Sequence, residues 1–231
     1  MNTPRKTDDV LGGGEALGAG GAHHGGAGRD ADEGLRVRVA VRRNPYPHLL
    51  GDGDFSDLLS ELGARRAASI RENHRAAAGQ APRGPYPRPA MGFVVLDPTA
   101  DAWVPHAEAV MAAVTVGEDA RQYLPRAAAK AATHRRLGRN NGEAVHTDPH
   151  LLTAGDFRYG HSAEVRGLIV AASSQTPDQD LYEASRLASD LVEEIGLRYR
   201  RFEWRHGETD WFSAADEPGR TFGGMVDWFP A

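Results

Sequence analysis

The stretch from Gly167 to Glu194, GLIVAASSQTPDQDLYEASRLASDLVEE, leaves the chain few ways to fold. Leu168-Ile169-Val170-Ala171-Ala172 is an apolar run whose length suits a buried strand. Ser173 to Asp178 then supplies small polar side chains that accept hydrogen bonds from the free N–H groups at a helix start. Pro177 fits the first helical turn, where its missing N–H costs nothing, and Asp178 and Asp180 fit the positive end of the helix dipole. Leu181, Ala184, Leu187, Ala188, Leu191, Val192 and Ile195 recur at helical spacing and form one apolar face. Gly196 is placed to stop this helix. A strand, a capped turn and an amphipathic helix make a rigid unit, with backbone N–H groups at the turn that are able to hold an anion.

The rest of the chain divides around that unit. Residues 1–34 are rich in Gly, Ala, Asp and Glu with few large apolar side chains, and we expect a disordered tail in which His23-His24 is incidental. Leu35 to Arg43 alternates strictly, with Leu35, Val37, Val39 and Val41 on one face and Arg36, Arg38, Ala40 and Arg42 on the other. That is a half-buried strand whose arginines either blunt a solvated edge or meet an acidic partner or carboxylate ligand. Phe55 to Ala78 reads as a helix ended by Gly79, with Leu58, Leu59, Leu62 and Ile70 on its apolar side and Gly63 weakening it locally. Ala90 to Asp97 reads as a strand. Trp103 to Val116 is open between strand and helix, because its valines favour one and its alanines the other. Glu118 to Leu137 is mostly helical, with a turn or kink at Pro125. Gly138 to Asp148 reads as a loop and Leu197 to Trp204 as a strand. The expected organisation is a tail over 1–34, an α/β domain over 35–204 and an aromatic extension over 205–231. Trp211, Phe212, Phe222, Trp228 and Phe229 of that extension are expected to dock on this chain's core or on a second copy.

Composition removes several functions. There is no cysteine, so disulfides, thiolate metal sites and cysteine nucleophiles are excluded. A net charge of −5 makes no general case for nucleic acid. No apolar run is long enough to cross a membrane, and the N-terminus lacks the apolar core of a signal peptide, so a cytoplasmic location is expected.

Three motifs in order carry a resemblance. Phe93-Val94-Val95-Leu96-Asp97, then Lys130-Ala131-Ala132-Thr133-His134, then PHLLTAGDFRYGHSAEVRGLIVAASSQTPDQD over Pro149 to Asp180 resemble the GlcG/HbpS-like heme-binding family, which also supplies the C-terminal domain of some cobalamin adenosyltransferases. The likeness spans about Ser56 to Ile195. It implies an antiparallel sheet of about five strands with helices packed on it, a homo-oligomer, and a heme pocket between the Lys130 helix and the loop Thr153 to His161. Lys130 would pair with a propionate, Thr133 or His134 would face the iron, and Ser173 and Ser174 would form the floor. The family's glycine-lined turn is replaced here by Ala171-Ala172-Ser173-Ser174, and its Gly-Gly-x-Pro by Arg158-Tyr159-Gly160-His161-Ser162.

Other constellations point elsewhere. Lys130 and His134 are four residues apart and project from one side of a helix. Pro105-His106-Ala107-Glu108 contains the H-x-E of zinc deaminases, in which His binds zinc and Glu moves protons, but the cysteines of that site are missing. His146, Asp148, His150 and His161 offer mixed nitrogen and oxygen ligands for a divalent metal ion, if loops bring them together. Three readings therefore stand: a cytoplasmic heme-binding or heme-handling protein, an enzyme on the same fold acting on a small molecule, or a non-catalytic module that assembles through its aromatic tail. In the second, His106 and Glu108, with His146 and His161, would do acid–base or metal work.

Overall fold

The computed structural model describes residues 35–207 and residue 225. The expectations for 1–34 and for the aromatic residues beyond 207 lie outside the described residues. The described chain forms a five-stranded sheet with four α-helices, a mixed α+β fold. The strands are β1 (Val37–Val41), β2 (Met91–Leu96), β3 (Val110–Val116), β4 (Ser162–Val165) and β5 (Leu168–Ser173). Their spatial order is β1-β3-β2-β5-β4, and every neighbouring pair is antiparallel. The helices are α1 (Asp52–Arg75), α2 (Leu124–Leu137), α3 (Asn141–Thr147) and α4 (Pro177–His206).

Strand alternation explains the layers. On β2, Phe93 and Val95 point into a cluster with Leu59, Leu62 and Ile70 of α1 and Ala184, Leu187 and Leu191 of α4. Val94 and Leu96 point the other way, into a smaller cluster with Ala127 and Ala131 of α2. Both faces of the central strand are thus covered, which is why β2 is apolar and fully buried along its length. Strand β1 lies at one edge with its valines half-buried inward and Arg36, Arg38 and Arg42 exposed, as its alternation predicts. Gly63 does more than weaken α1: a Cβ there would stand 2.7 Å from Val37 Cγ1 and 3.1 Å from Val114 Cγ1, so its absence lets the helix lie close on β1 and β3. Among the described residues, no helix is long and apolar enough to cross a membrane.

The start of α4 follows its sequence signals. Thr176 accepts from Gln179 N, and the Gln179 side chain accepts from Thr176 N, giving a reciprocal capping box with Pro177 in the first turn. Its end does not follow them. Gly196 fails to stop the helix, and Leu197 to Trp204 is helical, not a strand. One glycine costs a helix interior only about 1 kcal/mol. Here Arg198 grips Glu194 at 2.6 Å one turn back, Arg65 of α1 reaches the same Glu194, and the helix runs to Gly207. The alternation Leu-Arg-Tyr-Arg had imitated a strand.

Two elements carry weaker signals. The Gly138 to Asp148 segment is not simply a loop but contains α3, capped by Asn140, whose Oδ1 accepts from Gly142 N at 2.9 Å. Glu143, three residues after that cap, was the sequence clue. Strand β4 has only four residues. Arg166 and Gly167, both with positive φ, turn it directly into β5 as a two-residue hairpin. The ambiguous Trp103 to Val116 resolves into turns followed by β3 from Val110.

Candidate functional site

Helix α2 buries Ala127, Lys130, Ala131, Thr133 and His134, a stripe at three- and four-residue spacing. Its two alanines meet the sheet, and its polar members each find a partner. Lys130 is 1% exposed; its ammonium donates to Asp180 Oδ2 at 2.7 Å and to the Ala172 carbonyl at 2.8 Å. Burial pushes the Lys130 ammonium below its ordinary value and the Asp180 carboxyl above its own, while each opposes the other's shift by its charge. Asp180 Oδ1 also accepts from Ser174 N and Gln175 N, at 3.1 and 2.9 Å. The anion held by the turn after β5 is therefore the protein's own carboxylate.

Residues of the loop Thr153 to His161 pack on the Lys130 helix. The Phe157 ring lies 5.8 Å from Lys130 Nζ. Gly160, at φ +85°, packs so close to the ammonium that a Cβ there would overlap it. Thr133 donates to Asp156 Oδ1 at 2.6 Å. Burial would raise the Asp156 carboxyl, but hydrogen bonds from Thr133 and Thr153 and the charge of Arg136 outweigh it and hold it below its ordinary value. Ser173 is buried opposite Gly92, and Ser174 donates to the Ala90 carbonyl.

His134 lies on another side of this packing. It is 2% exposed. Nδ1 is 2.8 Å from Ser162 Oγ and Nε2 is 3.1 Å from Glu164 Oε2, so both ring nitrogens are engaged. Burial holds the imidazole below its ordinary value, against the pull of Glu164 and Glu143. His134, Ser162 and Glu164 line an open groove of about 320 Å3 together with Arg139, Asn140, Glu143, Ala163, Leu181 and Ser185. Lys130, Thr133, Ser173 and Ser174 are not in its wall. A larger open depression, about 530 Å3, follows the last turn of α1 and holds none of the residues that the sequence singles out. The smaller groove combines a cavity with an imidazole held at both nitrogens.

The remaining candidates are dispersed. His106 and Glu108 are exposed in the turns before β3. His106 Nδ1 is 3.3 Å from an Arg135 guanidinium nitrogen, and partial desolvation with the charges of Arg135 and Arg136 holds the ring below its ordinary value. His146 and His150 are exposed on and just after α3, while Asp148 pairs with Arg139. His161 is half-buried, 3.2 Å from Asn140 Oδ1. Among the described residues, no three His, Asp or Glu side chains gather as a group that could hold a metal ion, so the four proposed ligands do not converge.

Sequence reasoning missed Ser162 and Glu164. Their signal was the i, i+2 spacing on a strand, which places both on one face, but β4 itself was not recognised. Comparisons with family models, curated proteins and solved structures returned no match.

Proposed function

We propose that the protein is an enzyme acting on a small molecule held in the groove beside His134, with that imidazole serving as general base and acid. One observation carries the reading: a buried histidine, held at both nitrogens by a hydroxyl and a carboxylate, on the wall of a cavity. A general base needs this fixed orientation and a free-base form near neutral pH. The groove is at the small end of ligand sites, which run from about 300 to 1,000 Å3, and its wall is largely polar. That supports a compact polar ligand. The test follows the His134 ring resonances by NMR while a set of small polar fragments is added. Binders should shift those resonances in wild type and lose affinity when Leu181→Arg blocks the groove. A fragment set that leaves the ring unmoved rejects the reading.

Heme binding is the second reading. What supports it is the five-stranded antiparallel sheet with helices on both faces, the architecture that the family likeness implies. Hemin titration followed at the Soret band decides it. Saturable one-to-one binding that weakens in His134→Ala favours heme, and its absence discards heme as the ligand.

A further inference from the structure

The groove's hydrogen bonds have a direction. Glu164, as a carboxylate, only accepts, so its contact with His134 Nε2 places the ring proton on that nitrogen. Nδ1 is then left with a lone pair, and the hydroxyl 2.8 Å away, Ser162 Oγ, donates to it. Oγ in turn accepts from Asn141 N at 3.4 Å, and its other lone pair is uncommitted by these contacts. Strand β4 sets this up: Ser162 and Glu164 lie two residues apart on one face. Helix α2 lowers the imidazole between them, and the Gly138 cap ends that helix one turn later, its N–H on the His134 carbonyl. The order carboxylate, imidazole, hydroxyl is that of a nucleophilic serine with its base and orienting acid, with the two ring nitrogens exchanged.

We propose that Ser162 is the nucleophile of an acyl-transfer centre, activated by His134 and acting on small esters or other activated acyl compounds that enter the groove. The proposal rests on the general reading of the groove above and names its reaction. Ser162 Oγ forms a bond to the acyl carbonyl carbon while its proton passes to His134 Nδ1, and the carbonyl electron pair moves onto oxygen. When that pair returns, the bond to the alcohol breaks and the alcohol departs with the proton from His134. Water then attacks the Ser162 ester by the same proton path, releasing a carboxylic acid and restoring the serine. No oxidant or reductant is involved. Glu164 does not touch the substrate in this scheme; it is a positioning residue that fixes the ring tautomer.

The experiment treats the full chain with p-nitrophenyl acetate and, separately, with an organic fluorophosphonate, then maps the modified residue by peptide mass spectrometry. A single adduct on Ser162 is expected, absent in Ser162→Ala. Labelling should slow by roughly 100-fold or more in His134→Asn, the usual contribution of a positioned base. Because His134 is buried and its variant is at risk of misfolding, Glu164→Gln provides the second arm: that side chain is 44% exposed. The Gln carboxamide carries no charge and both a donor and an acceptor, so it no longer fixes the ring proton on Nε2, and labelling should fall while the melting temperature holds. No adduct on Ser162, or equal labelling in wild type and Glu164→Gln, overturns the proposal. If Ser162 does not label but fragments still shift the His134 resonances, this proposal fails and the general reading stands. If neither occurs, both fall.

Discussion

Lys130 Nζ lies 2.7 Å from Asp180 Oδ2, and this buried pair ties the helix on one face of the sheet to the first turn of the helix on the other. Lys130 also binds the Ala172 carbonyl on β5, and Asp180 also binds the two amides that follow β5. Three layers therefore meet at one salt bridge. Taking two charges out of water is expensive, and their attraction offsets it only while both are present.

Removing one partner should be far worse than removing both. Lys130→Met leaves a buried carboxylate and Asp180→Asn leaves a buried ammonium; each should cost about 3–5 kcal/mol. The double variant Lys130→Met/Asp180→Asn should cost clearly less than the sum of the two single changes. Urea unfolding of all four proteins measures the coupling. Additive losses would mean that the two side chains act independently.

Gly160 should tolerate no side chain. Its φ of +85° is one that other residues adopt at a cost on the order of 1–3 kcal/mol, and the new Cβ would overlap the Lys130 ammonium. Gly160→Ala should therefore destabilise by more than the backbone cost alone. In a Lys130→Met background the extra loss should shrink, which thermal melts of the two series would show.

The strong periodic segments were legible because burial dictates them. The apolar run of β5, the capped start of α4 and the alternation of β1 each record one face turned inward, and the structure uses them so. Gly196 misled because a single glycine costs a helix interior only about 1 kcal/mol, too little to end a helix that continues through Leu197 to His206. The site was less legible. Lys130 and His134 stood out correctly as one helical face, but their partners come from 50 and 30 residues away. Ser162 and Glu164 sit two apart on a strand of four residues, too short for that spacing to stand out without the Arg166-Gly167 turn that follows it. The histidines at 146, 150 and 161 are close in sequence, yet α3 and the turn after it spread them apart.

Acid should loosen the fold through His134. Burial holds its folded-state value below the ordinary 6.5, so between the two values the unfolded chain binds more protons. The stability from this neutral ring is present above about 6.5 and is lost as pH falls below it. Glu164 and Glu143 are the charges that oppose the shift. His134→Gln should have lower stability at pH 8 but a shallower fall between pH 7 and pH 5. An equally steep fall in the variant would place the acid sensitivity elsewhere.

At the opposite end of the pH range, Tyr86 and Tyr46 should stay silent. Tyr86 is buried and donates to Glu183 Oε1 at 2.9 Å; burial first, then the Glu183 charge, raises its phenol far above the ordinary 10.0. Burial, with the Asp97 charge, pushes Tyr46 up to about 12. In the unfolded chain both ionise near the ordinary value, so their contribution to stability is present below pH 10 and declines above it. Spectroscopic titration of the folded protein up to pH 11 should give the same tyrosinate signal in wild type, Tyr46→Phe and Tyr86→Phe, because neither ring contributes to it. Tyr86→Phe should also destabilise by about 1.5–3 kcal/mol, the usual loss for a hydrogen bond to a charged group. The low end of that range is expected, since Ser69 and Arg66 still donate to the buried Glu183 carboxylate. A smaller tyrosinate step in Tyr86→Phe would mean that the phenol ionises in the folded state and that Glu183 is not holding its proton in place.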